Sequence, residues 1–159
     1  MIINNAVVLT NEKDTKSRFI KISDGKIEEI GFESNLIIPE GEEVIDVDGG
    51  FVGPGLIDTH THGAFGLDFS EIDASGFEKI LNSLPKFGTT AVLATIGSTS
   101  YENLYKSISA AKSYLSKGNR NGTRLLGFHI EGPFINKDQR GSQAEEHIKI
   151  PEVDKTREI

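Results

Sequence analysis

Three side chains in this sequence have the types and spacing to hold a divalent cation. His60 and His62 close the run Leu56-Ile57-Asp58-Thr59-His60-Thr61-His62, just before Gly63. Alternate side chains of a strand share a face, so the two imidazoles project together from Cα atoms roughly 6.5 Å apart. From that spacing both rings can reach one ion through bonds of about 2.0–2.1 Å. The spacing alone leaves a plainer reading open, a pair of hydrogen-bonding or surface histidines. Glu131 ends a second apolar run and is followed by Gly132-Pro133. A carboxylate there can complete or bridge a metal site, because hard divalent ions accept oxygen beside imidazole nitrogen. The plainer reading for it is a helix cap or a surface glutamate. His129 shares the face of Glu131 one layer deeper and reads as a buried histidine that holds its neighbours by hydrogen bonds. Asp58, on the face of His60 but deeper, either orients a ligand or has a structural role.

Elements that can position these residues are visible around them. Leu56–His62, Thr90–Ile96 and Arg124–Glu131 read as three strands. Between the first two, Phe77, Ile80, Leu81, Leu84 and Phe87 recur at three- and four-residue spacing, a helical stripe that Pro85 interrupts near its end. Thr99-Ser100-Tyr101-Glu102 has the form of a capping box. The helix behind it presents Leu104, Ile108, Ala111 and Leu115 and stops near Gly118. Pro151, with Glu152 and Asp154 behind it, marks a further helix start. Strand, helix, strand, helix, strand and helix start is the alternation of a parallel sheet, so the fold class is α/β. In barrels built this way, active sites lie at the C-terminal ends of the strands, where His60, His62 and Glu131 fall. A (β/α)8 barrel takes about 250 residues, so residues 54–159 are expected to be the first three β/α units of a barrel left incomplete in this chain.

Residues 1–53 have a different texture. Arg18–Ser23 and Lys26–Ile30 flank Asp24-Gly25, a pair that accepts positive φ in a two-residue hairpin turn, and Ile22 then faces Ile27 as a half-buried pair. Glu43–Val47 is another strand, closed by Gly49-Gly50. The region is expected to be a small, β-sandwich-like unit ahead of the barrel.

Composition narrows the function classes. The chain has 159 residues, with 24 acidic against 17 basic side chains and a net charge of −7. Its pI is near 5.1 and its mean hydropathy is −0.27. With no Lys/Arg stripe, neither nucleic acid nor an anionic membrane is an expected partner. No apolar run is long enough for a bilayer, and residues 1–5 lack the basic and apolar regions of a secretory signal. Zero cysteines exclude disulfides, thiolate zinc sites and cysteine nucleophiles. A cytoplasmic enzyme, or part of one, fits these limits.

The segment Pro54-Gly55-Leu56-Ile57-Asp58-Thr59-His60-Thr61-His62-Gly63 resembles the opening strand of the amidohydrolase superfamily, and the preceding β unit resembles the small β domain those enzymes carry. A more specific feature is Gly127-Phe128-His129-Ile130-Glu131-Gly132-Pro133-Phe134-Ile135, which resembles the His-x-Glu-Gly-Pro motif of the N-acetylglucosamine-6-phosphate deacetylases. Gly88-Thr89-Thr90 and Ser98-Thr99-Ser100 fit the same family. The resemblance runs along essentially the whole chain but corresponds to the N-terminal part of a full-length member only.

The resemblance implies that Glu131 is the central metal ligand and that His60 and His62 hold a second metal, some members lacking this pair and using one ion. The cofactor is then one or two divalent cations, Zn, Fe, Mn or Co. It implies that the loop after Pro133 meets the sugar. Members commonly read Gly-Ala-His there, whereas this chain has Gly141-Ser142-Gln143, which makes Ser142 and Gln143 the expected substrate-binding residues. The implied reaction is hydrolysis of the acetamide of N-acetylglucosamine-6-phosphate, or a close amino-sugar phosphate, to acetate and the free amine. A divalent metal lowers the pKa of water and polarises the carbonyl, and an acid protonates the leaving amine. In the family that acid/base is an aspartate on a late barrel strand. No catalytic residue is therefore expected within this chain, and the 159 residues alone are expected to be inactive and poorly stable. A homodimer is implied for the full-length enzyme. Two other readings stand beside this one: a non-catalytic β/α module that binds a partner through an unfinished sheet edge, and another amidohydrolase in which a carboxylated lysine bridges two metals.

Overall fold

The computed structural model describes residues 1–9, 17–118 and 122–158, which divide into two compact units, Met1–Pro54 and Gly55–Ile159. The first is one five-stranded sheet. Strand β1 (Ile2–Val8) lies inside it, antiparallel to β2 (Arg18–Ser23) and parallel to both β4 (Val44–Asp46) and β5 (Phe51–Val52), while β3 (Lys26–Phe32) pairs with β2 at the edge. The Asp24-Gly25 turn forms as expected, with φ of +50° and +71°, the left-handed values a tight hairpin of this twist needs. Ile22 does face Ile27, but Ile27 is 63% exposed, so the pair is not a half-buried one.

Strand β1 carries no sequence signal of comparable strength, since Asn4-Asn5 interrupts its apolar residues. Asn5 has φ of +53° at a shift of register between Ile3 and Ala6. Side chains hold this irregular point: the Asn5 amide donates to Glu33 Oε2 at 3.1 Å, Asn5 Nδ2 donates to Asp46 Oδ1 at 3.2 Å, and the Ser17 hydroxyl donates to Asn5 Oδ1 at 3.4 Å. Beyond the bulge Ala6 and Val8 return to the core with Ile20, against Ile3, Ile22, Val47 and Val52.

The second unit is mixed α/β. Its sheet has three parallel strands in the order β10-β9-β6, comprising β6 (Leu56–Thr61), β9 (Thr89–Ile96) and β10 (Arg124–Ile130). A two-stranded hairpin, β7 (Gly63–Ala64) with β8 (Leu67–Asp68), follows β6 at once. Helix α1 (Ala74–Ser83) connects β8 to β9, α2 (Tyr101–Ser116) connects β9 to β10, and α3 (Val153–Glu158) begins two residues after Pro151.

Phe77, Ile80 and Leu81 of α1 and Ala111 and Tyr114 of α2 bury Val92 and Ala94 of β9, with Phe69 closing the cluster. The stripe expected to run to Phe87 stops short of it. α1 ends at Ser83 and Pro85 starts a 3-10 turn over Leu84–Phe87, so the phase changes and Phe87 is 66% exposed. Helix α2 is capped by Ser100 rather than Thr99: Ser100 Oγ accepts from the Asn103 amide at 3.2 Å, and Glu102 pairs with Lys106 instead of reaching back. The buried stripe of α2 is Leu104, Ser107, Ala111 and Tyr114, and Leu115 lies outside it. Ser107 is tolerated there because its hydroxyl donates to the Phe69 carbonyl at 2.6 Å.

Candidate metal centre

The C-terminal ends of β6 and β10 and the residues just past them bring their side chains to one place. β6 is not regular up to its end: the pairing with β9 shifts between Asp58 and Thr61, and the Asp58 carboxylate accepts from the His60 amide at 3.0 Å. Asp58 thus serves the backbone of the site, closing an Asx turn. His62 lies one residue past the strand, where its carbonyl accepts from the Phe69 amide at 2.7 Å. On β10, Gly127 pairs with Leu93 after a bulge and Phe128 turns to the helices, which leaves His129 on the opposite face beside Thr95. Glu131 follows β10 directly, its amide donating to the Ile96 carbonyl at 2.9 Å.

His60, His62 and Glu131 each offer one ligand atom, and these atoms all lie within 4.8 Å of one another. Glu131 Oε2 is 3.1 Å from His62 Nε2 and 3.6 Å from His60 Nε2. Atoms bound to one tetrahedral ion at about 2.0–2.1 Å stand roughly 3.3 Å apart, so both separations suit a shared cation. The oxygen itself supplies a second test. Glu131 Oε2 is sealed from solvent, and neither imidazole is aligned to donate to it, leaving a carboxylate oxygen with no hydrogen bond among the described residues. Such an oxygen is costly unless something positive meets it. The donor set, two imidazole nitrogens and a carboxylate, fits a first-row divalent ion.

His129 is half-buried, and its contact is with the His60 ring: the centroids are 4.5 Å apart and the planes 26° from parallel. It is therefore less buried than expected, and ring stacking on a neighbouring imidazole is the contact that holds it. His60 and His62 keep 49% and 45% of their side-chain surface exposed, so the cluster is open on one side.

That side is a cleft of about 470 Å³, whose walls include His62, Glu131, Asp68, Glu71, Ser142 and Gln143. Ser142 is exposed there. Gln143 is half-buried, its Oε1 accepting from the Ser98 amide at 2.6 Å, so its amide nitrogen is the end that remains to meet a ligand. Ser98 enters the sequence reading only as part of a segment that fits the family, with no role of its own, yet it touches both Gln143 and Glu131, its hydroxyl donating to the Glu131 carbonyl at 3.2 Å. Gly132 must be glycine: its φ is +99°, and a Cβ there would collide with Ser98 Oγ.

Parallel strands joined by helices, with imidazoles and a carboxylate gathered at their C-terminal ends, give the layout of an amidohydrolase, and the solved structures this chain superposes on have that fold. One is the N-acetylglucosamine-6-phosphate deacetylase of Pasteurella multocida, with a TM-score of 0.79 and 26% identity over 98% of this chain and 40% of that one. Another is the N-acetylglucosamine-6-phosphate deacetylase of Thermotoga maritima, with a TM-score of 0.76 and 29% identity over the whole of this chain and 39% of that one. By sequence, the chain is 29% identical over 156 residues to the N-acetylglucosamine-6-phosphate deacetylase of Bacillus subtilis, covering 97% of this chain and 39% of the relative. No protein-family model matches. The chain is a homologue of the N-acetylglucosamine-6-phosphate deacetylases and spans about two-fifths of the length of these relatives.

Proposed function

We propose that the protein deacetylates N-acetylglucosamine-6-phosphate or a closely similar amino-sugar phosphate, breaking the amide C–N bond with water to give acetate and the free amine. One observation carries the reading: the sealed, unpartnered Glu131 Oε2 lies 3.1 and 3.6 Å from two imidazole nitrogens, in a chain homologous to enzymes named for this reaction. Glu131, His60 and His62 would hold the cation, whether Zn, Fe, Mn or Co, as one ion or two. Bound there, the cation supplies a Lewis acid for the amide carbonyl and a lowered pKa for water. The chain's own residues do the rest of what falls to it. Asp58 fixes the backbone of His60, His129 holds its ring by stacking, and Ser142 and the Gln143 amide nitrogen face the sugar from the cleft wall. The acid that protonates the leaving amine is an aspartate of the full-length enzyme, outside these residues. With the reading go its finer architecture, three units of a (β/α)8 barrel over residues 54–159 after a sandwich-like β domain over 1–53, and a cytoplasmic homodimer.

The test is acetate release from N-acetylglucosamine-6-phosphate by the intact protein after chelation and after return of Zn²⁺, Mn²⁺, Fe²⁺ or Co²⁺. Turnover is expected to vanish with chelation, return with metal, and stay absent in Glu131→Ala. Activity indifferent to both chelator and Glu131→Ala would remove the proposal.

A further inference from the structure

Glu131 stands beyond the last residue of β10, at the edge of the sheet among the described residues, yet its carboxylate has to reach a point set by His60 at the end of β6 and His62 just past it. Its main chain is held on both sides by the last residue of β9 and by Ser98, two residues past it. The Glu131 amide donates to the Ile96 carbonyl at 2.9 Å, and the Glu131 carbonyl accepts from Ser98 Oγ at 3.2 Å. The next residue leaves its Cβ position empty for that same hydroxyl, since Gly132 has φ of +99° and any side-chain carbon would overlap Ser98 Oγ. Ser98 also donates its amide to Gln143 Oε1 at 2.6 Å, which ties the cleft wall to the same point.

We infer that Ser98 is a positioning residue of the metal centre: its hydroxyl sets the main chain of Glu131, and its amide fastens the loop bearing Gln143, so that the carboxylate and the sugar-facing wall keep a common reference. The inference rests on the proposed metal-binding reading. Outer contacts that orient a ligand commonly govern metal affinity by 10–100-fold, and a displacement of about 1 Å is enough to matter at such a site.

The probe is Co²⁺ alone, titrated into the metal-free intact protein and followed by its visible absorption, with thermal unfolding of the metal-free protein recorded beside it. Ser98→Ala is expected to weaken Co²⁺ binding about tenfold and to leave the metal-free unfolding midpoint nearly where it was. Ser98→Thr, which keeps the hydroxyl, is expected to restore most of the affinity. Gln143→Ala removes the other bond and is expected to cost about fivefold, the worth of one hydrogen bond, which covers the case of Ser98→Ala failing to fold. Wild-type Co²⁺ affinity in both Ser98→Ala and Gln143→Ala, with binding abolished in Glu131→Ala, overturns the positioning role alone. Wild-type affinity in Glu131→Ala overturns the metal reading, and this inference falls with it.

Discussion

The sheet β10-β9-β6 has one face turned to α1 and α2 and another that carries the candidate site. On the helix side, Val92 and Ala94 are fully buried under Phe77, Ile80, Leu81, Ala111 and Tyr114, and Phe77 touches the rings of Phe69, Tyr114 and Phe128 at centroid distances of 5.2, 6.5 and 6.3 Å. At the other face and its C-terminal edge, two imidazoles are nearly half exposed, and the buried Thr95 hydroxyl and Glu131 Oε2 have no hydrogen-bond partner among the described residues. The first arrangement is satisfied by its own contacts. The second leaves polar groups waiting for something the chain does not supply, which is how a binding site differs from a core. The two should therefore respond to substitution in different measurements.

The largest effect is expected on the helix side. Phe77→Ala removes a fully buried ring and should destabilise the metal-free protein by about 3–5 kcal/mol in denaturant unfolding. A loss below about 1 kcal/mol would mean that this face is not the one holding the unit together. The reverse is expected of the double variant His60→Ala/His62→Ala. Without metal its stability should stay within about 0.5 kcal/mol of wild type, as for other exposed positions. Wild type in Co²⁺ at about a hundred times the dissociation constant should gain about 2.7 kcal/mol, and the double variant should gain almost none. An equal gain in both would show that the ion binds elsewhere.

Gly132→Ala sharpens the comparison by touching both kinds of behaviour. At φ of +99° and against Ser98 Oγ, the added methyl should cost about 1–3 kcal/mol of stability. It should also weaken Co²⁺ binding, because Glu131 is the preceding residue. A destabilised variant that binds Co²⁺ as tightly as wild type would separate the turn from the site.

The same contrast explains what could be read from the sequence. The helix side announces itself through period, as in Phe77-Ile80-Leu81 and the apolar run of β9, since burial selects residue types at fixed spacing. Errors arose where a local rule outweighed the period. Pro85 ends α1 before Phe87, and in α2 the buried face carries Ser107 and Tyr114 where the apolar period points to their neighbours Ile108 and Leu115. Strand β1 has no legible period because Asn4-Asn5 interrupts it, and its bulge at Asn5 is held by Glu33, Asp46 and Ser17, side chains distant in sequence. At the site, the residue types and motif order named His60, His62, Glu131 and Gln143, and the structure brings His62, Glu131 and Gln143 to one cleft. Ser98 was not legible as a contact of Glu131, since its role is a hydrogen bond to a carbonyl 33 residues away, which no spacing rule encodes.

The smallest effect concerns how the helix side meets its loop, and it is read in pH. Asp73 caps α1: its Oδ1 accepts from Ser75 Oγ at 2.7 Å and from the Gly76 amide at 2.9 Å. Both bonds favour the ionised carboxylate, with the Ser75 hydroxyl foremost, and hold its pKa below the ordinary value. For a group lowered in the folded state, the stabilisation is present above the unfolded value, near pH 3.9, and is lost as pH falls through the folded value. Glu102 beside Lys106, and Glu145 beside Lys137 and Arg140, shift in the same direction, so the acid arm of the wild-type curve is shared among several carboxylates. The difference between wild type and Asp73→Asn isolates one of them. Asparagine keeps a capping oxygen but has no proton to gain, so the variant should lose stability less steeply than wild type below about pH 4 and match it closely near neutrality. Superimposable acid arms would mean that the cap holds α1 equally well when protonated. The cap of α1 would then owe nothing to its charge, in contrast to an opposite face where a carboxylate is the group on which the proposed chemistry depends.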